Sequence, residues 1–208
     1  EGQFLVDTGG VMVTVVLTTP FSQSNSLPAS DQKTISDNSL SGLGGETRLI
    51  ISRATSFTLG NMSIRAPVVY VSRDTGGALA SSDYDGLIGS EILRRFKVVF
   101  DYARGRLILE PNAHYAEPVE YDMSGISLRA YGDDLKTFRV YQVIDKSPAA
   151  DAGLRVGDVL TNIDGVPASR FTLEEVWQLM KQAGREYKLQ IKSGSRTSTV
   201  TIKTRKLI

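Results

Sequence analysis

Only one stretch of this chain carries a full set of helix signals, and that restricts what the rest can build. Thr172 with Glu175 three residues on makes a capping box, Phe171 and Val176 are placed for a hydrophobic staple, and Gly184 stops the run. Elsewhere apolar residues come in short runs separated by clusters of Gly, Ser, Asn and Asp, the pattern of strands joined by hairpins. With 208 residues, 41% of them hydrophobic, the chain has material for a real core and length for one large or two small domains. The expectation is a mainly β protein.

Composition removes several mechanisms. The absence of Cys excludes thiolate nucleophiles, Cys-ligated zinc and disulfides, and the single His114 leaves at most one imidazole for base catalysis or metal binding. His114 has no acidic or serine constellation beside it, so a structural or solvated role is expected, and no metal or organic cofactor. The 24 basic side chains are balanced by 23 acidic ones, spread through both halves, without the basic footprint of a nucleic-acid binder. The longest apolar stretch, Val11 to Leu17, is broken by Thr14 and falls far short of the roughly 18 residues that span a membrane. Glu1-Gly2-Gln3 runs straight into an apolar strand with no initiator Met, as expected of a segment cut from something longer. A Cys-free chain suits cytosol and periplasm alike; a periplasmic or secreted location is favoured.

In the first part, strands are expected at Gln3 to Val6, Val11 to Leu17, Thr47 to Thr58, Met62 to Val71, Lys97 to Tyr102 and Arg106 to Glu110. Short helices are expected from Pro20, capped by Thr19, and over Ser90 to Arg95. Gly42-Leu43-Gly44-Gly45-Glu46 reads as a glycine-rich turn between strands, with a hairpin tip over a substrate as the alternative. From Asn112 to Tyr121 the chain turns polar and carries Pro118, which reads as a linker and divides the protein into domains 1–115 and 116–208. After it come strands Ile126 to Tyr131, Thr137 to Ile144, Val159 to Ile163, Lys188 to Lys192 and Thr197 to Lys203.

Two constellations carry chemistry. Phe4-Leu5-Val6 ends in Asp7-Thr8-Gly9-Gly10, an acid and a hydroxyl on a strand end with glycines that let the backbone turn tightly beneath the carboxylate. Asp74-Thr75-Gly76-Gly77 repeats the four residues in a loop-like setting and reads as a surface turn. Further on, Leu87-Ile88-Gly89 leads into Ser90-Glu91-Ile92-Leu93 and the pair Val98-Val99-Phe100-Asp101 and Arg106-Leu107-Ile108-Leu109. Over residues 3–111 this order resembles aspartic peptidases of the pepsin and retropepsin group. The resemblance implies a single acid-protease-like β lobe of the ψ-loop type, in which Asp7, Thr8 and Gly9 are catalytic and Gly10, Leu87, Ile88 and Gly89 support the site. Such a site needs two carboxylates sharing a proton, so the resemblance also implies a second Asp from an upstream lobe or from another copy of the chain. The expected activity is an aspartic endopeptidase acting through water on peptide or protein substrates.

The second constellation is Ser147-Pro148-Ala149-Ala150-Asp151-Ala152-Gly153-Leu154-Arg155-Val156-Gly157-Asp158, followed by Ile163-Asp164-Gly165. This run is similar to PDZ domains, most closely those attached to bacterial proteases, from about Ser124 to Ile202. The resemblance implies a barrel-like β sandwich with two helices that binds C-terminal or extended peptides as an added strand. It places Ser124, Gly125, Ile126, Ser127 and Leu128 in the carboxylate loop and groove strand. Leu173, Trp177 and Met180 take the groove face of the long helix, while Val176, Leu179 and Ala183 face the core. The alternative to the enzyme is a binding protein whose β lobe is an idle scaffold and whose PDZ groove does the recognition.

Overall fold

The computed structural model describes residues 1–37, 41–42 and 45–208. Its contacts divide the chain into two compact units, one of Glu1–Ser36, Leu40–Glu120 and Ile208, the other of Asp37–Ser39 and Tyr121–Leu207. The structure is mainly β, with few and short helices.

The first unit opens with β1 (Phe4–Val6), β2 (Val15–Leu17) and α1 (Thr19–Ser24). It continues through β3 (Ile35–Asp37), β4 (Ser41–Gly42), β5 (Gly45–Glu46), β6 (Leu49–Arg53), β7 (Ser56–Leu59), β8 (Met62–Arg65) and β9 (Val68–Ser72). After these come β10 (Gly86–Ile88), α2 (Ser90–Leu93), β11 (Phe96–Asp101) and β12 (Arg106–Pro111). Six strands make one sheet in the order β1-β10-β2-β9-β6-β3, with β1 parallel to β10 and β2 parallel to β9. The strands β2 and β9 are buried along their whole length, which is why β2 and Val68 to Val71 of β9 read as apolar runs.

Several elements are shorter than their apolar runs. Val11 to Thr14 stays out of β2, and within it Met12 takes φ 61°, a left-handed turn that ends ladder pairing. The run from Thr47 to Thr58 splits into β6 and β7. The next splits into β8 and β9 at Ala66-Pro67, where Ala66 has φ 46° and Pro67 has no N–H to give the ladder. The cap of α1 is Thr18, not Thr19: the Thr18 hydroxyl accepts from Phe21 N–H at 3.4 Å and Pro20 falls inside the first turn, where its missing donor does no harm. Around the glycine-rich turn, β4 pairs with β5 through Ser41↔Glu46 and Gly42↔Gly45, and Leu43 and Gly44 lie outside the described residues.

The expected linker is held down for most of its length. Arg95, 0% exposed, donates to the carbonyls of His114 (3.2 Å), Tyr115 (3.3 Å), Glu117 and Pro118 (3.3 Å), and through Nε to Glu91 at 3.0 Å. A single guanidinium with its five N–H groups thus supplies donors to the carbonyls of the returning strap. Residues 112–118 thus belong to the first unit.

The second unit contains β13 (Ile126–Tyr131), β14 (Thr137–Val143), α3 (Pro148–Asp151), β15 (Val159–Ile163), β16 (Val166–Pro167), α4 (Leu173–Met180), β17 (Glu186–Ser193) and β18 (Arg196–Lys203). Its sheet runs β13-β14-β15-β17-β18, with β16 a short addition to β15. Phe138, Val140, Ala149, Val176, Tyr187, Leu189 and Ile202 form the centre of the core. The capping box of α4 is complete: Glu175 N–H donates to the Thr172 hydroxyl at 3.2 Å and Thr172 N–H donates to the Glu175 carboxylate at 2.6 Å. The Thr172 N–H, with the Thr172 hydroxyl at 3.0 Å, holds the Glu175 carboxyl below its ordinary range. The helix stops at Met180, before Gly184, and Ala183 is exposed instead of facing the core.

Candidate functional site

The strand end in the first unit is assembled as a tight knot. Asp7 N–H donates to Ile88 O at 2.9 Å, continuing the parallel pairing of β1 with β10, and the Asp7 carboxylate accepts from Gly9 N–H at 2.9 Å. A β-carbon on Gly89 would stand 2.4 Å from Val13 O, so this position needs glycine for close approach, and one on Gly10 would stand 3.0 Å from Asp7 Oδ2, a tight contact with a side-chain end. Asp7, Gly10, Ile88 and Gly89 are thereby brought together; Leu87 lies between Gly86 and Ile88 on β10, and Thr8 and Gly9 are exposed. Among the described residues Asp7 shares no hydrogen bond with a second carboxylate. Asp74 has a separate structural task, accepting from Arg48 N–H at 2.9 Å. His114 pairs with Glu117, Nδ1 to Oε1 at 2.7 Å, and this contact holds the Glu117 carboxyl below its ordinary range.

The second unit presents a different arrangement. Among the described residues β13 pairs with β14 alone, so one edge of β13 has no neighbouring strand, and α4 packs beside it. The Ile126 and Leu128 side chains point into the core, at 5% and 6% exposure, with Ser127 between them half-buried, as the two-residue period of a strand requires. A register shift between Ser127 and Leu128 marks a bulge at the start of the strand. On α4, Leu173 and Trp177 are half-buried, while Val176 and Met180 are buried in the core. Met180 is therefore core more than groove: its side chain is 2% exposed, and its carbonyl accepts from Met123 N–H at 2.9 Å.

The loop that leads into β13 is pinned from three directions. Met123 N–H donates to Met180 O, Ala149 N–H donates to Ser124 O at 2.9 Å, and Ile144 N–H donates to Gly125 O at 2.9 Å. Gly125 has φ 79°, a left-handed conformation that glycine adopts without strain. The loop amides are also taken. Ser124 N–H donates to Asp122 Oδ1 at 2.9 Å, Gly125 N–H donates to the same oxygen, and Ile126 N–H donates to Ser124 Oγ at 3.1 Å. The Ser124 hydroxyl lies 2.9 Å from both Asp122 oxygens. Burial pushes the Asp122 carboxyl up to about 6, against the opposing pull of the Gly125 and Ser124 hydrogen bonds. Asp122 was not among the residues singled out from the sequence, although an Asp two residues before a Ser-Gly pair at a strand start is the signal of such a turn.

Among the described residues no group of three His, Asp or Glu side chains is gathered as for a metal, and no helix is long and apolar enough to cross a membrane.

The PDZ domain family model matches residues 139–192. A curated relative, a probable CtpA-like serine protease of Staphylococcus haemolyticus, is 27% identical over 139 residues, which cover 66% of this chain and 26% of the relative. The chain thus spans about a quarter of that protein's length. Among solved structures, a PDZ domain protein from Parabacteroides distasonis is 26% identical with a TM-score of 0.36, covering 41% of this chain and 20% of that one. The HtrA3 PDZ domain bound to a phage-derived ligand is 19% identical with a TM-score of 0.34, covering 40% of this chain and 84% of that one.

These findings correct the expectation of an aspartic endopeptidase. The curated relative is described as a serine protease. The chemistry points the same way: an aspartic site needs two carboxylates sharing a proton, and the Asp7 carboxylate is engaged by its own loop. The aspartic class of enzyme and the acid-protease identity of the lobe both fall. What stands is narrower: the second unit carries a PDZ domain.

Proposed function

We propose that this chain works as a peptide-binding protein through its second unit, taking an extended peptide as an added strand along β13, with α4 as the opposite wall. The observation that carries this is the open edge of β13 beside α4. An unpaired strand edge offers a row of N–H and C=O groups to a peptide backbone, and the flanking helix offers side-chain pockets. Leu173 and Trp177, half-buried on α4, supply the apolar wall, which suits an apolar ligand side chain. Ser124, Gly125, Ile126, Ser127 and Leu128 shape the mouth and floor. The first unit serves as a folded scaffold beside this activity.

Trp177 is the only tryptophan in the chain, so its fluorescence reports on the groove directly. Random peptide libraries panned against the chain are expected to yield binders that shift Trp177 emission on titration. Binders that leave the emission unchanged and survive Trp177→Ala at full affinity would place recognition elsewhere.

A further inference from the structure

A strand-addition groove has two sources of affinity: the open strand edge, and the turn leading into it, whose successive N–H groups can cradle an anion such as the carboxylate that ends a peptide. In this chain the second source is already spent. The four consecutive amides from Met123 to Ile126 all donate inside the protein: to Met180 O, twice to Asp122 Oδ1, and to Ser124 Oγ. The acceptor at the centre is itself a carboxylate, further held by the Ser124 hydroxyl on both its oxygens.

The loop has no slack with which to offer these amides elsewhere. Its carbonyls at Ser124 and Gly125 are bound by Ala149 and Ile144, and its outer face abuts Ser147 so closely that a β-carbon on Gly125 would stand 2.1 Å from Ser147 Cβ. An incoming carboxylate would have to displace one tethered two residues away. Failing that, it would approach the Asp122 charge with no free donor among these amides, and like charges in a partly buried site repel. Burial raises the Asp122 carboxyl to about 6, which still leaves it ionised at neutral pH, where it accepts from the amides as a charge-assisted partner.

We infer that Asp122 acts as a built-in stand-in for a ligand carboxylate, so that this groove takes internal stretches of extended polypeptide and does not read a free C-terminus. The inference rests on the strand-addition reading of β13 and names the ligand class for that site.

Two random libraries panned against the full chain test it, one displaying peptides with a free C-terminus and the other holding them between constant segments. Enriched sequences are then synthesised as free acids and as C-terminal amides and titrated with Trp177 fluorescence as the readout. Internal peptides are expected to be enriched, and acid and amide forms to bind within fivefold of each other. Asp122→Ala, which vacates the amides, is expected to raise the preference for the acid by tenfold or more. Asp122→Asn keeps an acceptor for the loop amides and is expected to stay indifferent to the end group, which preserves the comparison if the alanine variant does not fold. A preference of fivefold or more for the free acid in the unaltered chain would overturn the inference and leave the strand-addition reading standing. Binders absent from both libraries would overturn that reading itself.

Discussion

A β-carbon placed on Gly125 would stand 2.1 Å from the Cβ of Ser147 and 2.2 Å from its Oγ. Ser147 cannot retreat: it is fully buried and its hydroxyl caps α3 by accepting from Ala150 N–H at 3.2 Å. Gly125 also has φ 79°, which disfavours any side chain. Gly125→Ala is expected to destabilise the second unit by roughly 2–4 kcal/mol, the sum of a left-handed backbone penalty and an overpacked contact. Denaturant unfolding measures this, and a loss under about 1 kcal/mol would show that the loop can move away.

Asp122 gives the unit a pH dependence of defined sign. Its carboxyl titrates near 6 in the folded chain against an ordinary value of 3.8, so the folded state holds the proton more tightly than the unfolded one. The stabilisation is complete below the ordinary value and is lost as pH rises through about 6, amounting to about 3 kcal/mol in all. Asp122→Asn has no such group. The stability of the unaltered chain minus that of the variant should fall between about pH 4 and 6 and level off above pH 7. Paired melts across that range check it; parallel curves would mean that Asp122 titrates alike folded and unfolded.

Arg95 should govern protease resistance of the strap at 112–118. The guanidinium supplies donors to four carbonyls of that segment, and hydrogen bonds to charged groups contribute about 1.5–3 kcal/mol each. The unaltered chain is expected to resist chymotrypsin at Tyr115, and Arg95→Met to be cut there at least tenfold faster. Equal cleavage of both would show that the strap is held by something other than this side chain.

Neighbouring positions on α4 should separate folding from recognition. Val176 is 0% exposed in the core, and Val176→Ala is expected to cost roughly 2 kcal/mol of stability. Trp177 is half-buried, and the proposed strand-addition reading puts it on the peptide side of α4. Trp177→Ala is expected to cost less than about 1.5 kcal/mol and to weaken peptide binding tenfold or more, read by calorimetry because the variant has no fluorophore. The reverse ranking in stability would return Trp177 to the core.

Local chemistry was legible wherever it acts over a few residues. The Thr172 and Glu175 box and the tight turn at Asp7 were legible because their bonds join residues two or three apart, and the strands Ile126–Tyr131 and Val159–Ile163 because their apolar residues alternate, although their ladder partners lie farther along the chain. Run lengths were misjudged where a single positive-φ residue, Met12 or Ala66, interrupts an apolar stretch, since side-chain type does not announce that backbone state. The polar segment after Asn112 read as a linker because the donor that holds it, Arg95, lies some twenty residues earlier.

The sequence by itself determined a mainly β chain, the PDZ-like run from Ser147 onward and the capped helix α4. Only the tertiary structure decided that β13 has an edge without a neighbouring strand among the described residues, that Met180 is buried in the core, and that the Ser124 and Gly125 amides are occupied by Asp122. The physical reason is one of range. Strand and helix patterns record short contacts along the chain, whereas the fate of a sheet edge or a loop amide is set by whichever distant group folding brings to it.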